Sequence, residues 1–161
     1  MANRDDLSSG FPAADRSLVA RMRLLNLEGS FYLQAVAERL GMGATDLTCL
    51  TVLLTEGPAA AGSLAARTGL TSGAITGVVD RLERSGWVRR ISDPADRRRV
   101  IIEALVEHAA ALRPVFDPLL EEATAIHARF SERDRATIGR YVEASIDLLA
   151  DQVRRLRADG G

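Results

Sequence analysis

The feature that most constrains this chain is the segment 61–105, where two short helical patterns are separated by a single turn. The first pattern ends at Gly69, and glycine readily adopts the left-handed conformation that follows a helix. The second follows Thr71, a residue type that caps helices, and it closes at Gly86. Its apolar residues recur at intervals of three and four, at Ile75, Val78, Val79 and Leu82. The pattern predicts two helices joined by a tight turn.

A β-hairpin is predicted directly after these helices. Two strand-like segments, residues 87–91 and 99–105, flank a turn that ends in a run of arginines. The turn contains the turn-forming residues Asp93, Pro94 and Asp96. Two helices followed by a hairpin with a basic tip form a winged helix-turn-helix, whose second helix enters the major groove of DNA. We place this DNA-binding domain at residues 45–106.

The charge of the chain is unevenly distributed. The net charge is −1, which by itself argues against a nucleic-acid partner. Residues 67–99, however, contain eight arginines and four acidic residues, a net charge of +4, and the compensating acids lie in the flanks. A basic segment on an acidic body favours a DNA-binding face over a nonspecific polycation.

The second helix supplies most of the predicted contacts with double-stranded DNA. Gly73 and Gly77 are small enough to let its backbone approach the major groove closely. The hydroxyl groups of Thr71, Ser72 and Thr76 can then reach bases or phosphates. We therefore expect the first turns of this helix to read the operator.

Two arginines lie further along the same helix. Arg81 and Arg84 are placed for contacts with backbone phosphates. The alternative is a solvated helix face on which they pair with Asp80 or Glu83. The spacing of the residues is compatible with both interpretations.

The arginines at the tip of the hairpin indicate a second contact. A narrow A·T-rich minor groove concentrates negative potential and attracts an inserted guanidinium. Arg97 and Arg98 are the candidates, and Asp96 is available to orient one of them. The alternative is a set of solvated arginines without a role.

Long amphipathic helices flank the DNA-binding domain. Apolar residues recur at intervals of three and four through residues 15–44 and again through 107–161. These stripes are longer than a small reading domain needs, so we expect them to form a homodimer interface; a bundle within one chain is the alternative. Residues 1–14 are predicted to be a disordered tail. The expected fold is mainly α with a small β-hairpin wing (α+β).

Local signals predict where the individual helices begin. Thr45 or Asp46 is expected to cap the helix after the first one. Pro118 is expected to kink the helix that contains it, or to restart that helix with Asp117 as its cap. Ser131 is expected to begin the last helix through a capping box.

The rest of the chain contains few residues that could support catalysis or bind a cofactor or a metal. Cys49 is the only cysteine and lies in an apolar helical pattern, which favours a buried core residue over a reactive thiol. His108 and His127 are isolated, and the sequence has no phosphate-binding loop, no metal-spaced cluster and no nucleophile motif. We therefore expect no enzymatic activity, no cofactor and no metal. Without an apolar run of about 20 residues or a signal peptide, we expect a cytoplasmic protein with no membrane partner.

Three segments resemble the MarR family of bacterial transcriptional regulators: 79–83 (Val-Asp-Arg-Leu-Glu), 86–90 (Gly-Trp-Val-Arg-Arg) and 93–98 (Asp-Pro-Ala-Asp-Arg-Arg). The resemblance implies a homodimer with interlocked first and last helices that binds a pseudo-palindromic operator. It also implies a repressor, which in many members releases DNA when a small aromatic or phenolic effector binds. By position, Ser72 and Thr76 would face the major groove, and Arg98 with Asp96 would form the minor-groove contact.

The chain departs from the family pattern at several positions. Ser72 and Gly77 stand where polar or basic residues are common, which leaves the operator open. Ala60 stands where a capping Thr or Ser is expected, and Cys49 does not match the reactive cysteine of oxidation-sensing members. The competing interpretation is a winged-helix protein–protein interaction module without direct DNA recognition.

Overall fold

The computed structural model describes residues 12–93, 96, 99–109 and 112–158, and it is mainly helical with one small sheet. This confirms the expected fold class. The tail predicted at residues 1–14 lies almost entirely outside the described residues. The elements are α1 (Ala13–Arg39), α2 (Ala44–Glu56), β1 (Ala59–Ala60), α3 (Ala61–Thr68), α4 (Ser72–Arg84), β2 (Val88–Ser92), β3 (Val100–Ala104), α5 (Val106–Ala109), α6 (Arg113–His127) and α7 (Glu132–Ala158).

The predicted helix-turn-helix is formed by α3 and α4. Gly69 ends α3 in the left-handed conformation, with φ of 79°, and its N–H donates to the carbonyl of Ala65 at 2.8 Å. Thr71 then caps α4, because its hydroxyl oxygen accepts from the N–H of Ala74 at 3.3 Å. Both signals predicted for this turn are confirmed. Helix α3 begins at Ala61, slightly earlier than the sequence pattern suggested, and has no side-chain cap.

Helix α4 packs on the core through the predicted apolar stripe. Its four apolar residues are buried, namely Ile75, Val78, Val79 and Leu82. They face α2 and α3, which contribute Leu50 and Leu64 to the same core. Gly86, with φ of 76°, ends α4 in a left-handed turn, and the N–H of Trp87 reaches back to the Leu82 carbonyl at 2.8 Å. The opposite face of α4 is therefore left to solvent.

The wing is part of a three-stranded antiparallel sheet in the order β1-β3-β2. Val88 pairs with Ala104 and Ser92 with Val100, which confirms the predicted hairpin. The sheet also has a third strand that the sequence did not predict, β1, with Ala59 opposite Ile102. A two-residue strand is too short to show an alternating pattern in the sequence.

Two predictions about helix starts were wrong. Helix α2 begins after Gly43 without a side-chain cap, and Asp46 is buried in its first turn with another partner. At Pro118 the predicted restart is wrong, because α6 runs unbroken through that residue, whereas the alternative of a kink stays a prediction. Asp117 pairs with Arg113 at 3.1 Å instead of capping a new helix. Pro114 lies in the first turn of α6, where the missing N–H costs nothing.

The chain divides into two compact units, residues 1–111 and 112–161. In the second unit, the hydroxyl oxygen of Ser131 accepts from the N–H of Asp134 at 3.2 Å, which confirms the predicted start of the last helix. No described residue of α7 is buried. None of the helices in the described ranges is long and apolar enough to cross a bilayer.

Candidate nucleic-acid interface

The outer face of α4 presents its first two turns to solvent. Thr71, Ser72, Gly73 and Thr76 are exposed, and Gly77 is half-buried. A Cβ atom added at Gly73 would meet nothing within 4 Å, so nothing in the described protein crowds this face. The structure therefore brings the predicted groove-facing residues of α4 together on one open surface.

The hydroxyl groups on this face differ in whether they already form hydrogen bonds within the protein. The Thr71 oxygen caps the helix, and the Thr76 hydroxyl donates to the Ser72 carbonyl at 2.9 Å. Among the described residues, the Ser72 hydroxyl has no hydrogen-bond partner within the protein. Ser72 is thus the hydroxyl that can turn fully to an external partner.

Arg81 is held in an ion pair with Asp46 of α2 that the sequence did not predict. Its Nε donates to Asp46 Oδ2 at 2.9 Å, and its Nη2 donates to Asp46 Oδ1 at 2.6 Å. The carboxylate side chain is 7% exposed, whereas the arginine side chain is 53% exposed. The hydrogen bond to Asp46, followed by the charge of that residue, raises the pKa of Arg81. The pair links the outer face of α4 to the first turn of α2.

Arg84 differs from Arg81 in having no such anchor. It is exposed at the end of α4, and within the described ranges it has no ion-pair partner. The alternative in which Asp80 and Glu83 neutralise Arg81 and Arg84 is wrong, because both acids bind Arg90 of β2.

Arg90 connects the base of the wing to α4. Its Nη2 donates to Asp80 Oδ1 at 2.6 Å, its Nη1 donates to Glu83, and its backbone N–H donates to Glu83 Oε1 at 3.2 Å. The hydrogen bond to Asp80 is the largest of the causes that raise the pKa of Arg90. The neighbouring Arg89 points elsewhere and pairs with Glu103 of β3 at 2.7 Å.

The turn of the wing is described only in part. Asp96 is exposed, and its carbonyl accepts from the N–H of Arg99 at 2.8 Å. The Arg99 carbonyl in turn accepts from the N–H of Asp93 at 2.9 Å. Arg97 and Arg98, the predicted minor-groove residues, lie outside the described residues, so their contact with DNA stays a prediction.

An open cavity of about 430 Å³ lies beside the end of α4. Leu40 and Met42, from the connection between α1 and α2, form an apolar side, and Trp87 lines the same cavity. Arg81 and Arg84 contribute positive charge to its lining. Asp46 also lines the cavity and pairs with Arg81, so the arrangement combines an aromatic surface with one ion pair and the guanidinium of Arg84.

Two further predictions concern the reactivity of Cys49 and the binding of a metal. Cys49 is fully buried, which confirms its place in the core, and burial followed by the charge of Asp46 raises the pKa of its thiol. Within the described ranges, no three histidine, cysteine or acidic residues lie together as metal ligands.

Relatives support the interpretation drawn from this geometry. The family model described as MarR family matches residues 43–100. A regulator of Bacillus subtilis (strain 168), the uncharacterized HTH-type transcriptional regulator YcgE, is 34% identical over 143 residues, which are 89% of this chain and 93% of the relative. The HTH-type transcriptional regulator PecS of Dickeya dadantii (strain 3937) is 35% identical over 75 residues, 44% of this chain and 45% of PecS.

Solved structures share the fold at lower identity. A MarR family protein from Bacillus stearothermophilus superposes with a TM-score of 0.61 at 20% identity, covering 84% of this chain and 97% of that one. The apo form of MarR from E. coli gives 0.56 at 18% identity, with coverages of 84% and 96%.

Fold, exposed helix face and relatives together define a winged-helix transcriptional regulator, a class of protein that is not enzymatic. Within that class, the chain belongs to the MarR family.

Proposed function

We propose that this protein is a sequence-specific double-stranded DNA-binding repressor that binds a pseudo-palindromic operator as a homodimer. The observation that carries the proposal is the open outer face of α4, where a capped helix exposes Thr71, Ser72, Gly73 and Thr76. A helix N-terminus carries partial positive charge and unpaired N–H groups, and small side chains let that backbone approach base edges. Phosphate contacts from Arg81 and Arg84 then fix the register of the helix.

The wing adds a contact in the minor groove. In this proposal Arg97 or Arg98 inserts a guanidinium, and Asp96 orients it. The support is that β2 and β3 pair in register up to Ser92 and Val100, so the hairpin carries the arginine run at its end. Insertion of one arginine on each side of a two-fold axis would account for recognition of a pseudo-palindrome.

Homodimerisation is proposed from the helices outside the winged helix. Residues 15–44 and 107–161 form the dimerisation regions in this proposal. In α1 and α7, large apolar side chains are exposed in the single chain, for example Leu25 at 64% and Leu149 at 55%. Soluble monomers rarely expose such contiguous apolar stripes, and a second copy of the chain would cover them. MarR regulators act as dimers, which supports the same conclusion.

The proposal also includes a response to a small ligand. The cavity beside α4 offers Trp87 as an aromatic surface and Arg84 as a cation without an ion-pair partner in the described ranges. A small aromatic or phenolic effector bearing negative charge fits this chemistry. Its binding would compete with the phosphate contacts of Arg84 and release the operator.

The test uses duplexes selected from genomic DNA by the purified protein. Wild type is compared with the double variant Arg97→Glu, Arg98→Glu by equilibrium titration. We expect operator affinity to fall by about 100-fold or more, because two positive charges in the groove become negative. The control is Arg129→Glu, Arg133→Glu, which changes net charge equally at two exposed positions outside the winged helix, and light scattering checks that its mass equals that of wild type. Equal binding by the wing variant and wild type would instead favour a protein-binding winged helix.

A further inference from the structure

Arg81 must be held in place if it is to contact DNA, and the residue that holds it is an acid. Both carboxylate oxygens of Asp46 accept from the Arg81 guanidinium, at 2.9 Å and 2.6 Å. This bidentate geometry fixes the plane of the guanidinium as well as its position. Asp46 is itself immobilised, because it is 5% exposed in the first turn of α2.

The pair leaves Arg81 able to bind a second anion. An arginine side chain carries five N–H donors, and Asp46 accepts from two of them. The arginine side chain is 53% exposed, so an external anion can reach it while the pair is intact. Its Nη1 lies back along α4, 3.5 Å from the position of a Cβ added at Gly77. The free edge of the guanidinium thus extends along the outer face of α4 towards the proposed groove-facing residues.

We propose that Asp46 is a positioning residue for DNA binding, which orients the free edge of Arg81 towards a backbone phosphate. The inference rests on the proposed function, because it assumes that the outer face of α4 meets DNA. It gives an unusual expectation for an acidic residue. Removal of a negative charge ordinarily strengthens binding to a polyanion, whereas removal of this one weakens it.

The physical reason is the entropy of the arginine side chain. A free arginine samples many rotamers, and binding to a phosphate must freeze them. With the Asp46 pair in place, that ordering has already occurred when the protein folds, so less of the interaction free energy is lost on binding. Without the pair, the ordering cost offsets the small gain of an exposed ion pair, so the contact between Arg81 and the phosphate is not made. Helix α2 thereby contributes to DNA affinity without contacting DNA.

The test measures operator binding across a salt series for wild type, Asp46→Asn and Asp46→Glu. The slope of log K against log salt reports the number of phosphate contacts, with about 0.9 per neutralised phosphate. We expect both variants to lose on the order of tenfold in affinity, because a charge-assisted hydrogen bond is weakened. We also expect the slope to decrease by about 0.9 per protomer. Asp46→Asn should lose affinity and reduce the slope although it makes the protein more positive.

Two controls separate positioning from other effects. Glu56→Gln removes an exposed acid at the other end of α2, which pairs with Arg67 and not with Arg81, and should leave affinity unchanged or slightly higher. Stoichiometric titration gives the fraction of active protein, so a variant that is partly unfolded is recognised. Should Asp46→Asn fail to fold, Asp46→Glu and Arg81→Lys serve instead, since both keep their charge and lose the bidentate geometry.

The outcomes distinguish this inference from the proposed function. Weaker binding with an unchanged salt slope in Asp46→Asn would overturn the positioning role, because a merely structural defect does not remove a phosphate contact. An unchanged slope in a folded Arg81→Lys and in Arg81→Gln would show that Arg81 does not meet DNA, and the inference would fall with that contact. Absence of any specific binding by wild type would overturn the proposed function itself.

Discussion

Cys49 does not have the features of a reactive thiol, but its burial makes the stability of the fold depend on pH. The side chain is fully buried, and both burial and the nearby Asp46 charge raise the pKa of its thiol, which opposes formation of a thiolate. The Thr68 hydrogen bond and the Arg81 charge lower that pKa, but they do not reverse the shift. A reactive thiol needs the opposite conditions, exposure and a lowered pKa. Cys49 is therefore a core residue in its neutral form.

A raised pKa in the folded state predicts a loss of stability at alkaline pH. Below the unfolded pKa, near 9.0, the thiol is neutral in both states and its contribution is fully present. As pH rises through the folded pKa, the unfolded thiolate is favoured and that contribution disappears.

We expect the free energy of unfolding of wild type to fall from about pH 9 upward. In Cys49→Ala the contribution of the thiol is absent, so the free energy of unfolding should fall less over the same pH range. Urea unfolding at successive pH values measures the free energy of unfolding of both proteins as a function of pH. The smaller alanine side chain shifts that free energy by a constant amount, which does not affect how it changes with pH. Parallel curves for the two proteins would show that the thiol does not titrate with folding.

Residues whose role is local could be predicted, and those whose partner is distant could not. The buried stripe of α4 and the Thr71 cap follow from spacing and residue type within one helix. Asp46 was expected to cap α2, as its position near a helix start suggested. Its actual partner, Arg81, lies 35 residues away, and no local pattern encodes that distance.

At the scale of elements, the wing is attached to α4 by a side chain as well as by backbone. Arg90 of β2 reaches Asp80 and Glu83 on consecutive turns of α4. Its guanidinium and backbone N–H together fix the base of the hairpin against the helix. Because the helix reads one groove and the wing another in the proposed complex, this attachment sets the distance between the two contacts.

Arg90→Met should therefore disturb the wing contact more than the helix contact. We expect operator affinity to fall by on the order of tenfold, since a charge-assisted network is lost. Hydroxyl-radical footprinting should show that protection of the minor groove at the flanks is lost. Methylation protection should show that guanines in the major groove are still protected at saturating protein.

Arg89→Met is the matched control for this experiment. Arg89 lies on the same strand and carries the same charge, but it pairs with Glu103 of β3 and not with α4. We expect its footprint to keep both kinds of protection. Uniform weakening of every protected position in both variants would contradict the role given to Arg90.

Long elements were predictable, and short or interrupted ones were not. The helices α1 and α7 are each 27 residues long, and their repeated apolar spacing is visible in the sequence. Strand β1 has two residues, both alanine, and exists because β3 offers it a partner. Pro118 was expected to kink its helix or to restart it, and α6 continues through it without a restart. For β1, tertiary context decides what local propensity leaves open.

At the scale of the whole molecule, the exposed apolar side chains indicate an assembly. Helix α7 exposes Ile138, Val142, Leu149 and Val153, which recur at intervals that place them on one face. Complete burial of a fully exposed valine, leucine or isoleucine contributes about 1.5–3 kcal/mol, and these four side chains are about half exposed, so each contributes about half of that and the stripe together can hold two copies. Most of the buried core of the first unit, by contrast, lies in the winged helix, and Val36 and Ala37 of α1 contribute to it.

Leu149→Glu should dissociate the proposed dimer. A carboxylate cannot be buried in an apolar interface without a large desolvation cost. We expect the mass in light scattering to fall from twice the chain mass to 17.4 kDa, and operator binding to weaken in parallel. Ala144→Glu introduces the same side chain at another exposed position of α7, about 140° around the helix, and should leave the mass unchanged. A wild-type protein of single-chain mass at micromolar concentration would contradict the dimer.

The central claim, that this chain reads a DNA sequence, is tested most directly by a specificity ratio. Wild-type protein is titrated onto a duplex from its own upstream region and onto a scrambled duplex of equal length and composition, at about 0.15 M salt. We predict that the upstream duplex, or one recovered by selection from the genome, binds about 1,000-fold more tightly than the scrambled one. Equal affinity for selected and scrambled duplexes would contradict sequence-specific recognition.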